Sequence, residues 1–231
     1  MIKFYFVSAP NPAKVALMLE ETGLPYEAVP LDTRRGQQFA PEYLAINPNA
    51  KSPSIVDGDV TVFDSNAILL YLAEKTGKFL PANTPAARGE MLSWLMFVAT
   101  GVGPYSGQAV HFKHYAPEPK EYAVQRYGYE AQRYWGIVNE RLATRRYMLG
   151  ETYTLVDMAL WGWARAAAYV LGEEGWGRLT HVKRHLDEIN ARPAAIRANA
   201  LKDRFQFKTE MDEEARRFMF PHIAAAAATG G

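Results

Sequence analysis

The chain of 231 residues contains no cysteine. That excludes disulfides, thiolate zinc sites and a protein cysteine nucleophile, and it fits a reducing compartment. Any thiol chemistry on this scaffold must use a thiol that a ligand brings. Long apolar runs are missing too: MIKFYFVSAPNPAK has about five apolar residues together before Ser8, Pro10 and Pro12 interrupt it. Such a run is too short for a signal h-region or a membrane span, so the cytoplasm is the expected location. Nor does one sign of charge dominate. Lys plus Arg number 26 against 25 Asp plus Glu, which leaves no net field to attract a nucleic acid or an acidic membrane surface, and neither partner is expected. His111 and His114 could pair on a helix, but no carboxylate or cysteine stands at ligand spacing beside them, and no metal is expected.

What is present begins with a short run of β-formers, Ile2 to Val7, on both parities, as for a strand buried on both faces. Lys14 to Thr22 reads as a helix closed by Gly23, and Tyr26 to Leu31 as a second strand. Strand, helix and strand within about 30 residues form a βαβ unit with parallel strands and a right-handed crossover. Ser54 to Val56 and Thr61 to Phe63 flank the turn sequence Asp57-Gly58-Asp59, and an apolar helix follows from Ser65 to Lys75, ending at Gly77.

Beyond the proline-containing stretch Phe79 to Pro85 only helical periodicity is found, to about residue 200. The two longest candidates, Ala86 to Val102 and Glu121 to Ala143, are joined by a segment rich in Gly, His and Pro. Thr154-Leu155-Val156-Asp157 has the pattern of a capping box opening an apolar helix, Met158 to Leu171. The fold class is therefore α/β plus all-α: a βαβ-ββα domain over residues 1–79, a linker at 80–86, a helical bundle over 87–203 and an extension over 204–231. The Ala224 to Ala228 run near the end is given no function.

This layout resembles the cytosolic glutathione transferases, whose first domain is thioredoxin-like. Three local sequences carry the resemblance. Ser52-Pro53 stands before the third strand, where the family has a cis proline that lets the preceding backbone pair with the cysteinyl unit of glutathione. Asp64-Ser65 opens a helix whose N–H groups suit the γ-glutamyl carboxylate, with Asp64 serving the ammonium group. Asn49 and Lys51 of Asn47-Pro48-Asn49-Ala50-Lys51, with Gln38 upstream, are placed for the glycyl carboxylate. Ala9-Pro10-Asn11, Gly36 to Phe39, Asn47 to Pro53 and Asp64 to Gly77 are more closely similar to the bacterial Nu class, which also resembles the yeast nitrogen-catabolite regulator. The likeness continues through Gly107-Gln108, His111-Phe112 and His114 into the helix from Tyr122.

The resemblance implies a homodimer in which bound glutathione, as thiolate, attacks a disulfide or a hydrophobic electrophile. It points to Asn11 as the residue whose amide donates to sulfur, with Ser8 and the first-strand Tyr5 as alternatives, since Ala9 stands where the family has a threonine hydroxyl. Tyr122, Arg126, Tyr129 and Arg133 share a helix face, and with Tyr105, Phe112, Trp161 and Trp163 supply candidates for a second-substrate pocket. Tyr105, Phe112, Arg126 and Arg133 are the residues assigned to it. A non-catalytic glutathione-binding protein is the alternative function.

Overall fold

The structure, a computed structural model, describes residues 1–118 and 120–222; the Ala224 to Ala228 run lies outside them. Strand β1 (Ile2–Phe6) is followed by α1 (Pro10–Thr22), β2 (Tyr26–Pro30), the short α2 (Pro41–Leu44), β3 (Ser54–Asp57), β4 (Val60–Phe63) and α3 (Ser65–Thr76). The strands lie in the order β2-β1-β3-β4. Strand β1 runs parallel to β2, with Phe4 opposite Ala28, and antiparallel to β3, with Phe4 opposite Ile55. The βαβ-ββα reading of the sequence is thus realised.

One expectation for β1 is corrected. Ile2, Phe4 and Phe6 are buried while Lys3 is exposed, so the strand buries one face fully rather than both. Helices α1 and α3 pack together on that side. The other side is covered only in part, by Tyr43 of α2, whose ring packs 5.6 Å from that of Tyr5.

Helix α1 begins earlier than the apolar pattern suggests because Pro10 and Pro12 occupy its first turn, where a missing N–H costs no intrahelical bond. It ends at Gly23, left-handed at φ 73°, whose N–H donates to the Leu19 carbonyl. Helix α3 is capped by Asp64, which accepts from the N–H groups of Asn66 at 2.8 Å and Ala67 at 3.2 Å.

The helical part starts at α4 (Pro85–Phe97), capped by Thr84, and passes through a π-helical turn at Val98–Val102 into α5 (Gly103–Val110) and a second such turn at His111–Tyr115. The Gly-, His- and Pro-rich segment is therefore helical as far as Tyr115; Pro104 sits at the start of α5, where it is tolerated. Next come α6 (Glu121–Ala143), α7 (Leu155–Ala164), α8 (Ala167–Gly177, interrupted at Gly172), α9 (Thr180–Asn190), α10 (Pro193–Ala200) and α11 (Glu213–Met219).

The apolar stretch from Met158 to Leu171 is thus two helices. Helix α7 belongs to the main core with Met158 and Trp161; α8 also adds Ala167 to that core, while its Val170 joins a small second cluster with Ala109 and Ala131. Asp157, fully buried, accepts from the N–H and hydroxyl of Thr154 at 2.8 and 3.1 Å, from the Met148 N–H at 2.8 Å, and pairs with His185 Nε2 at 2.9 Å. Among the described residues no helix is long and apolar enough to cross a membrane.

Candidate functional site

Helix α1 lies between α3, α7 and α10, so its first turn sits at the seam of the sheet-bearing and helical parts. Gly162 of α7 makes that approach possible. A Cβ there would stand 2.4 Å from the Pro10 carbonyl oxygen and 2.5 Å from Lys14 Cγ. The next residue, Trp163, donates its indole N–H to Asn11 Oδ1 at 3.0 Å. An asparagine amide has one accepting and one donating end, and the indole can only donate. The bond therefore occupies the oxygen and leaves the NH₂ as the free end.

Two cavities flank this point. The smaller, about 340 Å³, is lined by Asn11, Lys14, Asp64, Ser65, Gln108 and Trp163, among others. The larger, about 670 Å³, is lined on one side by Ser8, Ala9, Gln38, Asn49, Lys51 and Ser52, and on the other by Phe207, Phe218 and Met219 of the C-terminal segment. The residues expected to meet the two ends of a tripeptide are thus split between the cavities, and the start of α1 borders both, through Ser8 and Ala9 at the larger and Asn11 at the smaller.

The loop carrying Asn49 and Lys51 is held from below. Buried Asn47 donates to the Lys51 carbonyl at 2.7 Å and to Ser54 Oγ at 3.2 Å, and accepts from the Asn49 N–H at 3.0 Å. The Tyr43 hydroxyl donates to the same Lys51 carbonyl at 2.6 Å. This leaves Asn49 and Lys51 exposed at the cavity wall. The Ser52-Pro53 bond is cis, and Pro53 is buried behind the lining residues.

Asp64 adopts φ 71°, rare for a residue with a side chain. Its Oδ1 is committed to capping α3, so only the other oxygen is left for a ligand. Ser65 beside it is buried, and its hydroxyl accepts from Lys14 Nζ at 3.3 Å. Burial pulls the Lys14 ammonium down from 10.5 to about 7, with the charge of Asp64 opposing the change.

The C-terminal extension is part of the wall. Phe205 and Phe207 meet Phe6 edge-on, at 5.3 and 5.6 Å, and the Lys208 N–H donates to Asp32 Oδ2 at 2.8 Å. Arg34 in turn donates to the carbonyls of Lys208 and Thr209. Gln38 is buried, with its NH₂ donating to the Phe218 carbonyl at 3.3 Å. Its amide thus contacts the chain's own tail.

Other assigned residues stand elsewhere. Tyr5 lines neither cavity, because its ring is taken up by Tyr43. Tyr105 stacks on Tyr134 at 5.2 Å and Phe112 on Tyr127 at 5.2 Å, which ties α5 and the following turn to α6. Arg126 and Arg133 converge on Glu130, at 2.7 and 2.8 Å, and hold its carboxyl below the usual range, Arg133 most strongly. These four also line neither cavity, since each finds its partner within the helical layer. Trp161, fully buried, bonds Asn190 at 2.9 Å. Asn47, Lys14 and the tryptophan bond to Asn11 are the features a linear reading passes over. The one local signal is a lysine amid the apolar residues of α1.

Residues 1–74 match the model for the glutathione S-transferase N-terminal domain and residues 94–193 that for the C-terminal domain. The disulfide-bond oxidoreductase YfcG of Escherichia coli is 40% identical over 205 residues, covering 86% of this chain and 94% of that protein. A glutathione transferase structure from Burkholderia graminis, with two glutathione molecules bound per subunit, superposes with a TM-score of 0.82 at 35% identity, covering 88% of this chain and 89% of that one. Another from Pseudomonas putida, with one glutathione disulfide bound per subunit, gives 0.81 at 33% identity, covering 87% and 91%. The chain belongs to the glutathione S-transferase family.

Proposed function

We propose that the protein is a glutathione-dependent enzyme whose bound thiolate attacks a disulfide or a hydrophobic electrophile. The observation that carries this reading is the Asn11 amide, fixed by Trp163 with its donor end free, in the smaller of two neighbouring cavities furnished with polar groups for the ends of a tripeptide. Asn49 and Lys51 hold the glycyl carboxylate, the backbone of Ser52 ahead of Pro53 pairs with the cysteinyl unit, and Asp64 and Ser65 take the γ-glutamyl end. Gln38 borders the glycyl end through its contact with the tail.

A free thiol is mostly protonated at neutral pH, and the thiolate is the nucleophile, so the protein must favour the anion. Pro10 and Pro12 remove two N–H groups from the start of α1, and the Ala13 N–H is bonded to the Ala9 carbonyl. The donors left there belong to Asn11, from its backbone and its side chain. They act with the positive end of the helix dipole to stabilise sulfur's charge. With a disulfide RSSR, the thiolate forms a glutathione mixed disulfide and expels RS⁻; a second glutathione then releases the other RSH and leaves glutathione disulfide. No protein cysteine is needed. With a chloronitrobenzene, carbon–sulfur bond formation expels chloride.

The protein works as a homodimer in the cytoplasm, with residues 1–79 holding glutathione and 87–203 completing the site. Light scattering checks the dimer. Assays with a small disulfide and with 1-chloro-2,4-dinitrobenzene test the activity, beside Asn11→Ala. Loss of one preorganised donor is expected to lower kcat/KM about 100-fold. Glutathione binding without turnover of either substrate would favour a non-catalytic binding protein, a reading motivated by Ala9, which offers no hydroxyl to the site.

A further inference from the structure

Lys14 is 1% exposed, unusual for an ammonium group, and its stem lies against Gly162 of α7. Its Nζ reaches Ser65 Oγ at 3.3 Å and Asn66 Oδ1 at 3.5 Å, both long contacts to neutral oxygens. Among the described residues no carboxylate forms a salt bridge with it. Asp64, at the start of α3, is the one charge that acts on it, and one oxygen of Asp64 is tied up in capping. From α7 it meets the glycine, and Arg165 at the end of α7 lines a separate recess with Pro12, Ala13 and Ala16. A buried cation so poorly matched is costly unless something else compensates it.

Lys14 also lines the 340 Å³ cavity together with Asn11, Asp64 and Ser65. We propose that Lys14 is the counter-cation for a ligand carboxylate seated on Ser65 at the start of α3, and so the residue that selects the γ-glutamyl carboxylate of glutathione. This rests on the glutathione reading above. A carboxylate at Ser65 would stand next to the hydroxyl that Lys14 already contacts, and would supply the charge that Asp64 supplies only in part. Binding would then favour the protonated amine, so that the ligand and a proton enter together.

The test uses S-methylglutathione, which has no thiol to titrate, and its analogue with the γ-glutamyl α-carboxylate converted to a carboxamide. Titration calorimetry on the full chain should show the wild type preferring the acid at least 30-fold. Lys14→Met, apolar and of similar length, should lose at least tenfold in affinity for the acid and little for the carboxamide. Wild-type affinity for the acid should fall between pH 6.5 and 8.5, whereas the variant's should be nearly flat. Equal discrimination by wild type and a folded Lys14→Met variant would overturn the assignment while leaving the glutathione reading intact. Should that variant not fold, wild-type calorimetry at pH 7.5 in buffers of different ionisation enthalpy decides: proton uptake supports the assignment and none overturns it. Failure of the wild type to bind S-methylglutathione would overturn the glutathione reading itself, and this assignment with it.

Discussion

Asn11 can act on a sulfur only if its amide faces the right way, and Trp163 decides which way that is. Trp163→Phe keeps an aromatic ring but removes the donor, so the amide is free to turn its oxygen toward the thiolate. The variant should lose about tenfold in kcat/KM, some 1.4 kcal/mol, with KM for glutathione nearly unchanged. The bound thiol should also titrate at higher pH, which thiolate absorbance would report; an unchanged thiol titration would refute the positioning role. Lys14 carries a second residue-level consequence, for stability. Its folded value of about 7 lies below the ordinary 10.5, so between those limits the unfolded chain binds more protons. Its penalty is full below about pH 7 and absent above about 10.5, and stability therefore rises with pH across that window, by at most about 1.4 kcal/mol per unit. Urea unfolding of wild type and Lys14→Met from pH 7 to 10 should show this slope in the difference between the two.

Among the elements, α7 depends on a cap that does more than close its first turn. Asp157 holds Thr154, Met148 and His185 together, and so joins the loop before α7 to α9. Asp157→Ala would leave the buried N–H groups of Thr154 and Met148 and the ring of His185 without their acceptor, at a cost of about 3 kcal/mol or more. Asp157→Asn should cost less, because its carbonyl oxygen can still accept. Thermal unfolding of the two variants measures the difference. The capping box was legible in the sequence because its chemistry is local. The reach to Met148 and His185 was not, since those partners come from other parts of the chain. Likewise, nothing local in the apolar stretch from Met158 to Leu171 marks the break between α7 and α8.

At the scale of the whole molecule, the tail after Arg204 is one wall of the larger cavity and a cover for Phe6. Ending the chain at Arg204 removes two half-buried phenylalanines from Phe6 and the backbone partners of Asp32, Arg34 and Gln38. Roughly 2 kcal/mol of stability should be lost through the phenylalanines, visible as a lower urea midpoint. The opened cavity should release glutathione faster, raising its dissociation rate severalfold in stopped-flow measurements. An unchanged rate would show that the tail only stabilises the fold.

The sequence by itself determined the local chemistry of this protein. Runs of β-formers, helical periodicity, proline and glycine positions, the Asp64 and Thr154 caps and the Ser52-Pro53 step all act over a few residues, so they specify the βαβ-ββα order and the helical part without reference to the rest. Asn49, Lys51, Ser52, Pro53, Asp64 and Ser65 could be proposed together as a glutathione site for the same reason, as short motifs at fixed spacing. Only the tertiary structure decided which face of β1 is buried, that Arg126 and Arg133 are spent on Glu130, and that Gln38 meets the tail. It also decided that Trp163 orients Asn11 and that Lys14 lies beneath Ser65. Those outcomes depend on charges and donors from distant parts of the chain meeting in low-dielectric seams, where burial and pairing set the energies and sequence spacing carries no information.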